Sequence, residues 1–337
     1  MPKFFIPEAC KDALLAPWFE PSQEHILFRE GLPENFFNEV ERVEDPAQAQ
    51  AIVLPNNFRT SNATVEAYIK TYADLGTQLN IPVYAFSLGD YTDAVRFDPR
   101  IKVFRLSAYR SKFLPNTILM PTLVEDIGRT GIQIQEKKDI PTVSFCGKAG
   151  FSSFRETIAS YARYFFYRLF TVFNPPIRAR IRGIFWRRWV MAACASSTLV
   201  KTHFILRKTF SGARSTIEIS PETARKEFID SMIQSDFVLA PKGDGNYSNR
   251  FVEALCMGRI PVLIDTDTML PFEDIIDYSK IIVRIPMTRV SDTPSFVREF
   301  YDTLSSEEWK TRQHLAREIY EKYLRQDMFF RVFFTKV

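Results

Sequence analysis

Short apolar runs separated by polar or helical stretches mark the chain from residue 4 to about 121. Phe4-Phe5-Ile6, Ala51-Ile52-Val53-Leu54, Val83-Tyr84-Ala85-Phe86, Ile101-Lys102-Val103-Phe104 and Thr117-Ile118-Leu119-Met120 predict strands. Between Asn62 and Leu79 the apolar positions Val65, Tyr68, Ile69, Tyr72 and Leu75 fall at helical spacing, with Ser61 or Asn62 as N-cap. Strand, helix, strand is the grammar of a parallel sheet.

From Thr122 to Pro141 the pattern turns polar and charged, through Gly128, Gly131 and Glu136-Lys137-Lys138-Asp139, which predicts a linker. The expected division is an N-terminal domain over 1–135 and a C-terminal domain over 136–337. The second half opens with the strand Thr142-Val143-Ser144-Phe145-Cys146, a Gly147-Lys148-Ala149-Gly150 turn and a helix carrying Phe154, Ile158 and Tyr161. Residues 161–190 then interleave Tyr161, Tyr164, Phe165, Phe166, Tyr167, Phe170, Phe173, Phe185, Trp186 and Trp189 with Arg163, Arg168, Arg178, Arg180, Arg182, Arg187 and Arg188. Two readings compete: a surface that meets lipid headgroups, a lipid-linked acceptor or a polyanion, and a helical pair with aromatic core positions and snorkelling arginines. Ser305-Ser306-Glu307-Glu308 is a capping box that opens a packing helix running to about Leu324.

The chemistry concentrates between Ser235 and Pro286. The strand Phe237-Val238-Leu239-Ala240 ends at Pro241, the loop Lys242-Gly243-Asp244-Gly245-Asn246-Tyr247-Ser248-Asn249 follows, and a helix begins at Arg250. Phe251, Ala254, Leu255 and Gly258 fall at i, i+3, i+4 and i+7 and bury one face, while Arg250 and Glu253 share a neighbouring one. With Ser248 or Asn249 as cap, the free N–H groups and positive dipole end face the loop, where a phosphate fits. Gly243 and Gly245 let the backbone approach a diphosphate, Lys242 and Arg250 add full charges, and Glu253 can accept from ribose hydroxyls. A strand from Arg259 to Asp265 completes a βαβ unit, so the loop sits at the carboxyl edge of the sheet.

Five stretches carry a family resemblance: Phe237 to Gly243, Ser248 to Ala254, Gly258 to Ile264, Leu270-Pro271-Phe272-Glu273-Asp274, and Ser279 to Pro286. In order and spacing they closely resemble the signature of exostosin-family glycosyltransferases. Weaker similarity extends to Val143-Ser144-Phe145-Cys146-Gly147 with Arg155, and to the strands ending at Pro55 and Pro121. The resemblance implies an α/β fold of the GT-B type, two Rossmann-like domains facing across a cleft. It also implies an inverting transferase whose C-terminal domain holds a UDP-sugar, with a glycan or lipid-linked saccharide as acceptor in polysaccharide or glycoconjugate synthesis. Carried over by position, Arg250 contacts the diphosphate, Glu253 the ribose, and the loop Asp265 to Phe272 approaches the donor sugar. Arg155 and Arg207 are further cationic candidates. The base is expected from the first domain: Asp90 in Ser87-Leu88-Gly89-Asp90 first, with Glu125 and Asp126 as alternatives. The competing reading is a catalytically inactive subunit that binds carbohydrate or nucleotide-sugar.

Composition narrows the field. Of 337 residues 46% are hydrophobic and 25% charged, the balance of a chain that buries a real core. A net charge of +4 asks for no nucleic-acid partner. Cys10, Cys146, Cys194 and Cys256 lie far apart, and His25, His203 and His314 have no evident partners, so no zinc or redox motif is formed. Asp265-Thr266-Asp267 is a D-x-D, the metal-holding pair of the other large glycosyltransferase architecture, yet in the exostosin pattern an acidic residue there needs no metal. No cofactor is expected beyond the donor. The N-terminal apolar run is too short for a signal peptide, and the uncharged stretch Trp189 to Val200 is too short for a membrane span. The expected location is cytoplasmic, with a peripheral position on the inner membrane face through residues 161–190 as the alternative.

Overall fold

A computed structural model describes residues 2–16, 40–90, 95–151, 153–171, 175–207 and 219–335. The chain forms two compact units: unit 1 takes Met1–Leu123, Met269–Phe272 and Tyr323–Val337, and unit 2 takes Val124–Thr268 and Glu273–Lys322. The fold is mixed α/β, with one largely parallel sheet in each unit.

Unit 1 contains β1 (Lys3–Phe5), β2 (Leu14–Leu15), β3 (Glu41–Val43), β4 (Ala51–Asn57), β5 (Val83–Ser87), β6 (Ile101–Arg105) and β7 (Thr117–Leu119). The order is β3-β1-β4-β5-β6-β7, all parallel, with the short β2 antiparallel to β4. Alternation along the strands sends neighbouring side chains to opposite faces. Ile52, Leu54, Val83, Ala85, Ile101 and Val103 pack with Val65, Ile69 and Ala73 of α1 (Ala63–Leu79), whose N-cap Asn62 accepts from Val65 N. Val53, Tyr84, Phe86 and Phe104 face the other way, onto Phe329, Phe330, Phe333 and Phe334 of the last helix, Gln326–Thr335.

Unit 2 runs β8 (Thr142–Lys148), α2 (Phe154–Phe170), α3 (Gly183–Ala195), β9 (Lys201–Arg207), α4 (Pro221–Ile233), β10 (Phe237–Leu239), α5 (Asn249–Cys256), β11 (Ile260–Asp265), β12 (Val283–Pro286), α6 (Thr293–Asp302) and α7 (Ser306–Ile319). Its five parallel strands lie in the order β12-β11-β10-β8-β9. The chain builds outward from β8 to β9, then returns past β8 to lay down β10, β11 and β12 on the other side. The strand order therefore reverses between β8 and β10. In open α/β sheets ligands bind outside the carboxyl ends of the strands at such a reversal.

Several expectations change. The structural division falls at 123/124 rather than 135/136, and residues 323–337 return to unit 1 because their phenylalanines fill its second sheet face. The stretch read as a linker is built into unit 2: Gln135 N donates to Gln313 Oε1 at 2.8 Å and Lys138 N to the Tyr301 hydroxyl at 2.6 Å. The wholly buried Arg259 also donates to the Gln133 carbonyl. Gly258 lies beyond α5 with φ +65°, where it ends the helix rather than lining its face. The capping box at Ser305 is present, but α7 gives way to a π-helical turn at Tyr320–Leu324. The loop Asp265 to Phe272 divides at 268/269, and Phe272 packs on Phe329 with ring centroids 5.1 Å apart, as part of the unit 1 core.

Residues 161–190 split by helix. In α3 Phe185 and Trp186 are buried, whereas Phe165, Phe166 and Phe170 of α2 are exposed; Phe173 lies outside the described residues, as does His25. Among the described residues no helix is long and apolar enough to cross a membrane, and no group of three or more His, Cys, Asp or Glu is placed to hold a metal ion.

Candidate functional site

At the strand-order reversal the carboxyl end of β8, Cys146-Gly147-Lys148, meets the loop after β10 and the first turn of α5. Arg250 joins them. Its Nε and Nη2 both donate to the Cys146 carbonyl, at 3.1 and 2.8 Å, and its guanidinium lies 4.6 Å from the centroid of the Phe145 ring. The contact requires glycine at 147, which has φ +146° and whose added Cβ would stand 2.2 Å from Arg250 Nη2. Burial lowers the pKa of Arg250, opposed by the charges of Glu253 and Cys146. The guanidinium is thus a partly buried cation held by the Cys146 carbonyl and a ring face.

A second arginine lies beside it. Arg187 of α3 donates from Nη1 to the Lys148 carbonyl at 3.3 Å, while its buried Nε has no hydrogen-bond partner. Burial, and then the positive charge of Arg250, push its pKa down to about 10, against the pull of Asp244. Two arginines that repel one another in a desolvated setting favour an anion between them. Arg182 completes the rim: it donates to Ser160 Oγ at 2.6 Å and pairs with Glu156 at 3.4 Å and Asp244 at 3.6 Å. Lys148 pairs with Glu156 at 3.4 Å.

The loop itself is held from below. Its Gly243 N donates to Tyr247 O at 2.8 Å, and α3 starts so close that a Cβ on Gly183 would stand 2.2 Å from the Lys242 carbonyl oxygen. Asn246 is buried and donates to Thr266 O at 3.1 Å while accepting from Thr266 Oγ1 at 2.6 Å, so the loop is tied to the end of β11. Gly245 is also buried. Ser248 occupies the N-cap position of α5 without a side-chain hydrogen bond into the helix, and Asn249 is the first helical residue rather than the cap. The first turn of α5 therefore keeps backbone N–H groups that no capping side chain satisfies.

The remaining candidates separate. Lys242 is buried with its ammonium donating to the Ala179 carbonyl at 2.7 Å, and burial lowers its pKa to about 8. It anchors the segment before α3. Arg207, at the end of β9, pairs with Glu227 at 2.7 Å and sets its charge near the Cys146 thiol, whose pKa is nonetheless raised by burial. Arg155 is exposed in the first turn of α2. Asp90 is exposed in the loop after β5, in unit 1. Glu125 and Asp126, the alternative bases, belong to unit 2 and are engaged in ion pairs of 2.5 Å, with Arg225 and Arg317 respectively. Asp265 of the D-x-D accepts from Thr268 N at 2.9 Å and lies 3.8 Å from Arg284, a loop-closing role.

Glu253, one turn into α5, has its pKa raised above the ordinary 4.5 by burial, with Arg250 and Arg225 opposing the shift and Glu125 adding to it. A raised carboxyl pKa means that the native state binds the proton more tightly, so stability falls as pH rises from 4.5 through the folded pKa. Glu253→Gln is therefore expected to raise the melting temperature near neutral pH, with the gain shrinking below about pH 4.5. Each kcal/mol gained moves the midpoint of a domain of this size by roughly 2–4 °C. Melting curves of both proteins across this range check it; a gain that is independent of pH would refute the assignment.

Residues 176–326 match the family model described as the exostosin GT47 domain. That stretch is similar to an exostosin domain. An exostosin-1 homolog of Caenorhabditis elegans is 29% identical over 121 residues, covering 34% of this chain and 31% of that protein. The chain thus spans about a third of the curated relative it matches. Among solved structures, Anabaena HepE in complex with UDP has a TM-score of 0.37 at 10% identity, covering all of both chains. The pneumococcal O-GlcNAc transferase GtfA in complex with UDP and GlcNAc has a TM-score of 0.37 at 10% identity over 85% of this chain and 56% of that one. The matched stretch begins before α3 and ends after α7, so it contains Arg187, Arg250 and Glu253, while β8 with Gly147 precedes it.

Arg187 was not separable in the sequence from the other arginines of 161–190. Its neighbour Gly183 and the buried Trp186 mark a tightly packed helix start, a signal of structure rather than of charge.

Proposed function

We propose that this chain transfers a sugar from a nucleotide-sugar, with a UDP-sugar as donor, to a glycan or lipid-linked saccharide at a membrane surface, with inversion and without a metal ion. The observation that carries this reading is Arg250, fixed between Cys146 and Phe145 at the strand-order reversal of an exostosin-like domain. In a single displacement the acceptor hydroxyl attacks the anomeric carbon, the glycosidic bond to the diphosphate breaks, and negative charge grows on the departing phosphate. Arg250, Arg187 and the uncapped first turn of α5 meet that charge, and because they are already desolvated they need no rearrangement to do so. Glu253 takes the ribose hydroxyls in this reading. Asp90, in the loop after β5, is the candidate for the carboxylate that takes the acceptor proton.

The test is calorimetric titration with UDP, GDP and a panel of UDP-sugars, with and without EDTA. Uridine nucleotides are expected to bind regardless of EDTA. Arg187→Ala is expected to weaken UDP by about tenfold or more, the worth of one charge-assisted contact. Binding that requires a divalent metal and ignores Arg187 would contradict the proposal. Saturable donor binding with no turnover on any acceptor would instead assign an inactive binding subunit.

A further inference from the structure

The helix α2 is inside out. Its inward stripe carries Glu156, Ser160, Tyr164 and Tyr167, while Phe154, Ile158, Phe165 and Leu169 line the opposite face at helical spacing. Phe154 is 79% exposed, Phe165 64% and Leu169 65%, and Phe166 and Phe170 widen the stripe. The inward side is fully used: the Tyr164 ring stacks on Phe185 at 5.0 Å and meets Trp189 at 5.8 Å, and Ser160 accepts from Arg182. The apolar face is therefore not a misplaced core face, since α3 is already packed against the other one. A continuous exposed stripe of this kind marks an interaction surface.

We propose that α2 is an interfacial helix that lays this stripe into the surface of an anionic lipid bilayer. Charge chooses the occupant. Arg155, Arg163 and Arg168 are exposed along the flanks of the stripe, and no carboxylate occurs in the sequence between Glu156 and Glu218. Apolar side chains on one face flanked by arginines fit the boundary between acyl chains and phosphate headgroups. A second copy docked about a two-fold axis would set the same arginines against one another. The helix has 17 residues, about 25 Å of length at about 1.5 Å per residue, and it is too polar to span, so it lies in the plane. Its first turn adjoins the strand end at which Arg250 is held, through the Glu156 pairs with Lys148 and Arg182. A bilayer on α2 would bring a membrane-held acceptor to that side of unit 2. The inference stands apart from the nucleotide reading, because none of the outward residues contributes to the anion site.

The experiment is co-sedimentation of the full chain with vesicles of phosphatidylcholine alone or mixed with phosphatidylglycerol, at about 0.1 M salt. The wild type is expected to pellet with the anionic vesicles and less with the neutral ones. Phe165→Ser combined with Leu169→Ser should weaken partitioning by about tenfold or more, since two large apolar side chains leave the acyl boundary. Arg163→Glu with Arg168→Glu should remove the preference for anionic lipid. These side chains point outward, so melting curves and UDP titrations should match the wild type, which separates failure of docking from failure of the donor site. No pelleting with either vesicle, or pelleting unchanged in both double variants, overturns the proposal. So does a wild-type dimer in sedimentation equilibrium that Phe165→Ser dissociates, which would assign the stripe to a second copy.

Discussion

Arg250→Ala is expected to lower UDP affinity by at least tenfold and turnover by a further factor, on the order of 100-fold or more in kcat/KM. The first figure follows from the loss of charge-assisted hydrogen bonds to a diphosphate, each worth roughly 1.5–3 kcal/mol. The second follows from the greater value of a preorganised donor where charge grows in the transition state, roughly 100- to 1,000-fold per group removed. Arg250→Lys is the informative companion. A lysine keeps the charge but cannot grip the Cys146 carbonyl through two nitrogens and lie flat over Phe145, so it should restore part of the affinity and little of the turnover. Binding should be measured well below the melting temperature of each variant, because removing Arg250 also strips two donors from the Cys146 carbonyl. A change in UDP affinity below about threefold would remove Arg250 from the site.

The largest effect on stability is expected at Arg259. It is wholly buried and donates to Met232 O at 3.0 Å, to Gln313 Oε1 at 2.7 Å, to the Gln133 carbonyl and to Ile233 O at 3.4 Å. The last carbonyls of α4, the segment before β8 and the middle of α7 are thereby fastened to the start of β11. Burial pushes its pKa down to about 10, and the buried Asp236 offsets this in part. Arg259→Ala leaves these acceptors orphaned and a large void, a loss of roughly 3–5 kcal/mol. For a unit of this size that is a fall in melting temperature of roughly 6–20 °C. Arg259→Met refills the volume but not the hydrogen bonds and should fall between, while Lys70→Ala, on the exposed face of α1, should be near neutral. A drop under about 2 °C for Arg259→Ala would show that the segment before β8 is held by other means.

Much of the segment around the strand-order reversal was legible because it is local. From Phe237 to Asp265 the strand, loop, helix and strand follow one another, and a period of two giving way to 3.6 shows in the residues themselves. Arg250 and Glu253 could be singled out there because a loop between parallel strands must emerge at the carboxyl edge. What the sequence did not show is the partner of Lys242: a lysine beside glycines reads as a phosphate ligand, while in the fold its long stem reaches the Ala179 carbonyl. The partner of Asp126 was hidden in the same way, since Arg317 is remote in sequence and its pairing left no trace in any local pattern.

The sequence by itself determined the alternating and helical periods, the turn glycines, the capping box at Ser305 and the order of elements, because each of these is set by neighbours within a few residues. Only the tertiary structure decided that Arg250 closes on Cys146, that Arg187 turns toward the same strand end, that the last four phenylalanines fill the face of the first sheet, and that α2 points its apolar stripe outward. These pairings depend on where the chain returns after many residues. Helical and strand periods assign side chains to faces, but which face meets protein and which meets solvent is settled by packing.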